Sequence, residues 1–313
     1  MPKQPPKKDS SRSTRKQRTQ PRYDPARSQA PEMIELVDPR WILKALGGIL
    51  ALALVFAYAT LCLVYNAKQW QLVLHPTHTF AQTPGSFGMA FQDVQFGVDD
   101  SGQPQLDGWF VPGAAPSART VLLLHDGDGD MADAMSTLTT LHSLPVNVLL
   151  FDYRGFGKSG LTTNAHPSEA RMFEDARHAY DYLVSTRGVA AADIIVYGKG
   201  VGGAVATALC SHDLHCRALV LEAPRGDLLA QAAADPRSKI VPTSLLFHER
   251  FSLSAPLRTL ATPKLLITFA DNAPAALSHA ADPKMLVELD RHDEVHLREA
   301  LLRFLDNYIP EHP

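Results

Sequence analysis

Residues 193–210 read DIIVYGKGVGGAVATALC, and the fold is decided by how this stretch divides. Ile194, Ile195, Val196 and Tyr197 are β-branched or aromatic and suit a buried strand. Gly198, Gly200, Gly202 and Gly203 then crowd a single turn, and Ala204 to Cys210 are the small, apolar residues of a packed helix. A strand, a tight turn and a helix in that order lift the turn above the carboxyl end of a sheet. Open α/β sheets gather their binding sites at that edge. The residue at the top of this turn is Gly200, which has no side chain to offer.

The same alternation extends outward. Runs at 91–98 and 108–111 read as a leading hairpin. Nearly continuous apolar runs at 120–124, 146–151, 194–197, 218–221, 264–268 and 285–289 read as buried strands. Helical patterns fall between and after them, at 132–144, 168–187, 201–210 and 294–308. Strands alternating with helices imply an α/β fold, a mostly parallel sheet covered on both faces.

Residues 1–40 are rich in Pro, Ser, Lys and Arg and carry no apolar period, the composition of a disordered basic tail. From Ala45 to Ala67 there is no Asp, Glu, Lys or Arg. As a helix this run is about 34 Å long, enough to cross a bilayer. Trp41 and Trp70 flank it, so a transmembrane segment with its flanks is expected over 41–70, ahead of a domain over 71–313. Eleven Lys and Arg precede the run and only Lys68 closely follows, which places the N-terminus in the cytoplasm and the domain across the membrane. The basic tail suits anionic lipid.

From residue 71 on, 28 Asp and Glu face 18 Lys and Arg, an acidic balance that argues against nucleic acid. Cys210 and Cys216 bracket a short loop. A disulfide is permitted there outside the cytoplasm, and two reduced structural thiols remain the alternative. Neither they nor His212 and His215 match a standard zinc spacing. Asp126, Asp128 and Asp130 alternate as in a calcium loop, but Met131 and Thr137 stand where a glycine and a bidentate glutamate are needed. An acidic helix start is the simpler reading, and no metal or cofactor is expected.

Four strand ends carry unusual loops: His125-Asp126-Gly127-Asp128-Gly129-Asp130, Asp152-Tyr153-Arg154-Gly155-Phe156-Gly157-Lys158-Ser159-Gly160, the 198–203 turn, and Arg291-His292-Asp293. Together, over 91–308, they resemble the α/β-hydrolase superfamily. They are most similar to its membrane-anchored, single-span branch related to serine aminopeptidases and monoacylglycerol lipases. The resemblance implies an α/β-hydrolase fold preceded by one transmembrane helix. It sets the nucleophile of the G-x-S-x-G elbow at Gly200, the general base at His292, and the oxyanion loop at Asp126 and Gly127 with Val201. The acid falls on Asn272 in register, or on Asp271 if that loop is shifted by one residue. The 152–160 segment matches in full and is architectural in the family, so Ser159 is not the expected nucleophile. Residues 225–253 correspond to a cap insertion that would line a pocket.

The resemblance therefore implies a hydrolase scaffold without its serine, acting by binding a small molecule or a protein. Two other readings stay open. One is an esterase or peptidase with an unrecognised nucleophile, with Ser159, Cys210 and Ser211 as candidates and Lys199 taken as solvent-facing. The other is dinucleotide binding, because Gly198, Gly200 and Gly203 also satisfy G-x-G-x-x-G and Glu222 ends the next strand near a ribose-binding position.

Overall fold

The central strands are apolar along nearly their whole length because both of their faces are covered, and that fixes the layering. The computed structural model describes residues 38–310 except 80, 100, 116, 161–165, 213–215, 270–274 and 291–292. The main sheet is built from β2 (Gln92–Val98), β3 (Pro104–Val111), β4 (Thr120–Leu124), β6 (Asn147–Phe151), β7 (Ile194–Lys199), β8 (Ala218–Glu222), β9 (Lys264–Phe269) and β10 (Lys284–Leu289). Its order is β10-β9-β8-β7-β4-β6-β3-β2. The β2–β3 and β3–β6 pairs are antiparallel, and the remaining pairs are parallel.

Side chains alternate across this sheet with period two. Leu122, Leu124, Leu149, Val196 and Leu221 face one core, with helices α3 (Glu169–Ser185) and α4 (Gly202–His212) packed over them. Val121, Leu123, Val148, Tyr197 and Val220 face the other, under α2 (Met135–His142) and α9 (Glu294–Tyr308). Strand β10 corrects the sequence reading. It is an edge strand and leaves Leu286 half exposed, whereas an apolar run alone suggested burial.

Local chemistry sets the helix starts. Ser168 caps α3 by accepting from Arg171 N. Asp130 accepts from Ala132 N while Asp133 accepts from Asp130 N, a reciprocal cap on the 3-10 turn that leads into α2. The 152–160 loop is pinned to α3: Asp175, fully buried, takes Arg154 Nε at 2.6 Å and Arg154 N at 2.8 Å. Cys210 and Cys216 are joined in a disulfide, which settles the alternatives left open by their spacing.

Two compact units divide the chain, Met1–Val55 and Phe56–Pro313. Of the first, residues 38–55 are described, and nearly all are helical. Helix α1 (Pro39–Lys68) holds one stretch long and apolar enough to cross a membrane, with a mean hydropathy of 2.3 and none of it buried. Within the second unit, α1 is followed by the short β1 (His75–Pro76), which pairs in parallel with β5 (Asp128–Gly129) in the loop after β4. Between β8 and β9 run α5 (Leu229–Ala234), α6 (Thr243–Leu246) and α7 (Ser254–Leu257), and α8 (Ala275–Ser278) precedes β10. The segment 225–253, expected from the resemblance to be a cap insertion, holds α5 and α6.

Candidate active site

Register brings the site together. Leu124 of β4 pairs with Gly198 of β7, so the chain leaving β4 rises beside the turn at 199–201. Gly200 sits at the top of that turn with φ +55, a left-handed conformation that glycine adopts without cost. Its N–H donates to the Glu222 carbonyl, and its own carbonyl accepts from Arg225 N at 2.7 Å. Behind it, a Cβ on Gly202 would run into the carbonyl oxygens of Leu124 and His125, so helix and strand can approach this closely only over a glycine.

The space above Gly200 is filled. A Cβ there would overlap the whole Asp126 carboxylate. Asp126 Oδ1 accepts from Gly127 N at 2.7 Å, Val201 N at 2.8 Å and Arg225 Nη2 at 2.8 Å. The sequence assigned Asp126, Gly127 and Val201 to one oxyanion loop, and the structure brings all three together. What the sequence missed is that two of the three are donors and the third is the anion they hold.

Arg225 bridges onward to Asp128 Oδ2 at 2.9 Å, and Asp128 Oδ1 lies 2.7 Å from His75 Nδ1. Burial alone would lower the Arg225 pKa, but Asp126 and Asp128 outweigh it and hold the guanidinium above its ordinary value. The three loop aspartates thus face different partners: Asp130 takes the Thr77 hydroxyl at 2.7 Å and the Ala132 N–H.

His125 is buried, with Nδ1 2.7 Å from the Asp126 carbonyl. A carbonyl only accepts, so Nδ1 carries the hydrogen and Nε2 presents a lone pair 3.5 Å from Asp152 Oδ1. Burial pushes the imidazole down to about 4, so His125 is neutral at pH 7, and burial also pushes the Asp152 carboxyl well above its ordinary value. Lys199 corrects an expectation too. It is half-buried rather than solvent-facing, with Nζ 3.1 Å from Glu222 Oε1 and donating to Thr137 Oγ1 at 2.9 Å. The parallel register that sets Lys199 beside Glu222 is the cause. Glu222 Oε2 also accepts from Tyr197 at 2.7 Å and Thr137 at 3.0 Å.

A cavity of about 420 Å³ opens over this group, lined by Asp126, Gly200, Glu222, Arg225, Phe269 and Leu297 among others. His292, Asp271 and Asn272 lie outside the described residues, while their described neighbours Phe269, Asp290 and Asp293 line the cavity. The remaining nucleophile candidates are otherwise engaged. Ser159 is fully buried and accepts from Asp107 N, Ser211 donates to Thr207 O, and Cys210 is oxidised.

With this geometry in place, the chain can be compared with known proteins. Residues 115–297 match the family described as serine aminopeptidase, S33. The chain belongs to this family. A relative from Mycobacterium tuberculosis, the uncharacterized protein Rv2307c, is 29% identical over 252 residues, covering 78% of this chain and 86% of its own. The Schizosaccharomyces pombe protein bem46 is 33% identical over 144 residues, 45% of this chain and 46% of its own. Among solved structures, a Pyrococcus furiosus esterase covers 76% of this chain and 98% of its own at 19% identity with TM-score 0.59. A Vibrio vulnificus α/β-hydrolase covers 72% and 83% at 21% identity with TM-score 0.56. These likenesses establish the α/β-hydrolase fold for this family member.

Two outcomes follow for the site. Gly200→Ala should cost at least about 2 kcal/mol in urea unfolding, from overlap with Asp126 added to backbone strain. In an Asp126→Gly background the same change should cost only the strain of roughly 1 kcal/mol, so a double-mutant cycle that proves additive refutes the steric coupling. For His125, the folded-state pKa lies below the unfolded value, so the unfolded chain binds the extra proton. Stability should therefore fall as pH drops from about 6.5 toward about 4, by up to roughly 3 kcal/mol. His125→Gln should lose that segment of the pH profile in thermal melts. A variant profile parallel to wild type places the effect elsewhere.

Proposed function

We propose that this chain is a membrane-tethered α/β-hydrolase-fold protein without serine-hydrolase activity, whose cavity serves a binding or regulatory role. One observation carries the reading: the Asp126 carboxylate lies on the Val201 and Gly127 N–H groups, directly over Gly200. Serine hydrolysis needs a hydroxyl at the elbow and free donors aimed at the charge that develops on the carbonyl oxygen. Here Gly200 takes the nucleophile position, and the Asp126 carboxylate already holds the donors. A developing oxyanion would meet a like charge where it needs a positive field. Losing even one such donor slows a hydrolase by roughly 10²–10³.

The same carboxylate weighs against dinucleotide binding, because a pyrophosphate above Gly200 would face it, and Glu222 is committed to Tyr197, Thr137 and Lys199. The apolar helix supports tethering. The disulfide supports an extracytoplasmic domain, since such bonds persist in oxidising compartments.

An alkyl fluorophosphonate should leave the purified wild-type chain unlabelled. Gly200→Ser alone should stay unlabelled as well, because Asp126 occupies the space its Cβ requires. Strong labelling of the wild type would show that an activated serine exists and end the proposal. For orientation, protease added to spheroplasts of an expressing bacterium should digest the folded domain and spare the basic tail. Protection of the domain with loss of the tail would invert the topology.

A further inference from the structure

Helix α1 does not end free of the domain. Tyr65, in its last turns, is buried, and its hydroxyl lies 3.1 Å from Ser238 Oγ in the cap. Ser238 is itself buried, and its carbonyl accepts from the Thr243 hydroxyl at 2.8 Å. One turn further along, Gln69 Oε1 accepts from His248 N at 2.5 Å, and Trp70 stacks on His166 with the rings 3° from parallel. The Tyr65 and Gln69 contacts tie residues 238 and 248 to the end of the apolar helix, and the Trp70 stack ties it to the segment before α3. The other side of that helix is bare: Leu63 is 70% and Val64 55% exposed.

Near this junction in the chain, two large apolar side chains of the cap segment are exposed. Ile240, two residues from Ser238, is 61% exposed, and Leu245 of α6 is 73% exposed. Outside α1, the other large apolar side chains that are exposed among the described residues are Phe87, Val98, Val184, Leu286 and Val295, each on a different element. Arg237 and Lys239, both exposed, precede Ile240, and the Arg237 guanidinium is paired with Asp235 at 2.9 Å. The uncharged run closes at Ala67, so Tyr65 falls at the depth where tyrosine and tryptophan favour the membrane–water boundary. A cap residue hydrogen-bonded to that tyrosine sits at the same depth.

We propose that the cap segment carrying Ile240 and Leu245 rests in the interfacial layer of the same bilayer that α1 crosses. The two side chains enter the acyl boundary while Lys239 meets anionic headgroups. This rests on the tethering reading above and adds a second, independent membrane contact.

The test uses the full chain in nanodiscs of phosphatidylcholine and phosphatidylglycerol. An environment-sensitive dye is placed singly through Ile240→Cys, Leu245→Cys, Leu286→Cys or Phe56→Cys, in a Cys62→Ser background. Lipids spin-labelled on the acyl chain are the quencher. Dyes at 240 and 245 should be quenched several-fold more than the dye at 286, approaching the dye at 56. Quenching at 56 but not at 240 or 245 overturns the cap contact alone and leaves the exposed pair to a protein partner. Absence of quenching at 56 as well overturns the tether and the cap contact together.

Discussion

Three N–H groups converge on one oxygen of Asp126, and the architecture of the site is arranged around that point. A carboxylate set over a sheet edge needs compensation, or it protonates or moves into water. Two backbone amides and a guanidinium supply it, at about 1.5–3 kcal/mol for each hydrogen bond to a charged group. That exceeds the roughly 1 kcal/mol at stake in a left-handed turn. The consequence for residue 200 is strict: the carboxylate is accommodated only where no Cβ projects.

The charges around this point pair off in succession. Arg225 is shared by Asp126 and Asp128, and Lys199 is held by Glu222, whose second oxygen is satisfied by two hydroxyls. Burial disfavours charge on both His125 and Asp152, lowering the one pKa and raising the other. Both basic side chains that line the cavity are therefore committed to internal carboxylates.

Much of the fold was legible because it rests on local signals. The apolar runs at 120–124 and 218–221, the glycine turn at 198–203 and the cap at Asp130 each declare themselves within a few residues. The site was legible only in part. That Asp126, Gly127 and Val201 belong together followed from the family's loop order. That Asp126 fills the place above Gly200 depends on a contact across 75 residues, and no periodicity encodes it. One clue was present: a glycine at the turn and an acid in the facing loop are complementary in size. Lys199 was misjudged because its partner comes from strand register. Strand β10 was misjudged because an apolar run reads alike at an edge and at the centre.

The loop that carries the anion is held from outside the sheet as well as by it. His75 N donates to Gly127 O and Thr77 N to Gly129 O, each at 2.8 Å, so the segment after the apolar helix runs as a strap along the aspartate loop. The His75 and Thr77 side chains reinforce it through Asp128 and Asp130. These main-chain bonds do not depend on what sits over Gly200. They fix the path of residues 127–129, and through it the direction in which Asp126 can point. A plug on a loose loop would be an equilibrium between filled and empty. Braced from both sides, with Arg225 closing the third, the filled state is the one the backbone itself selects.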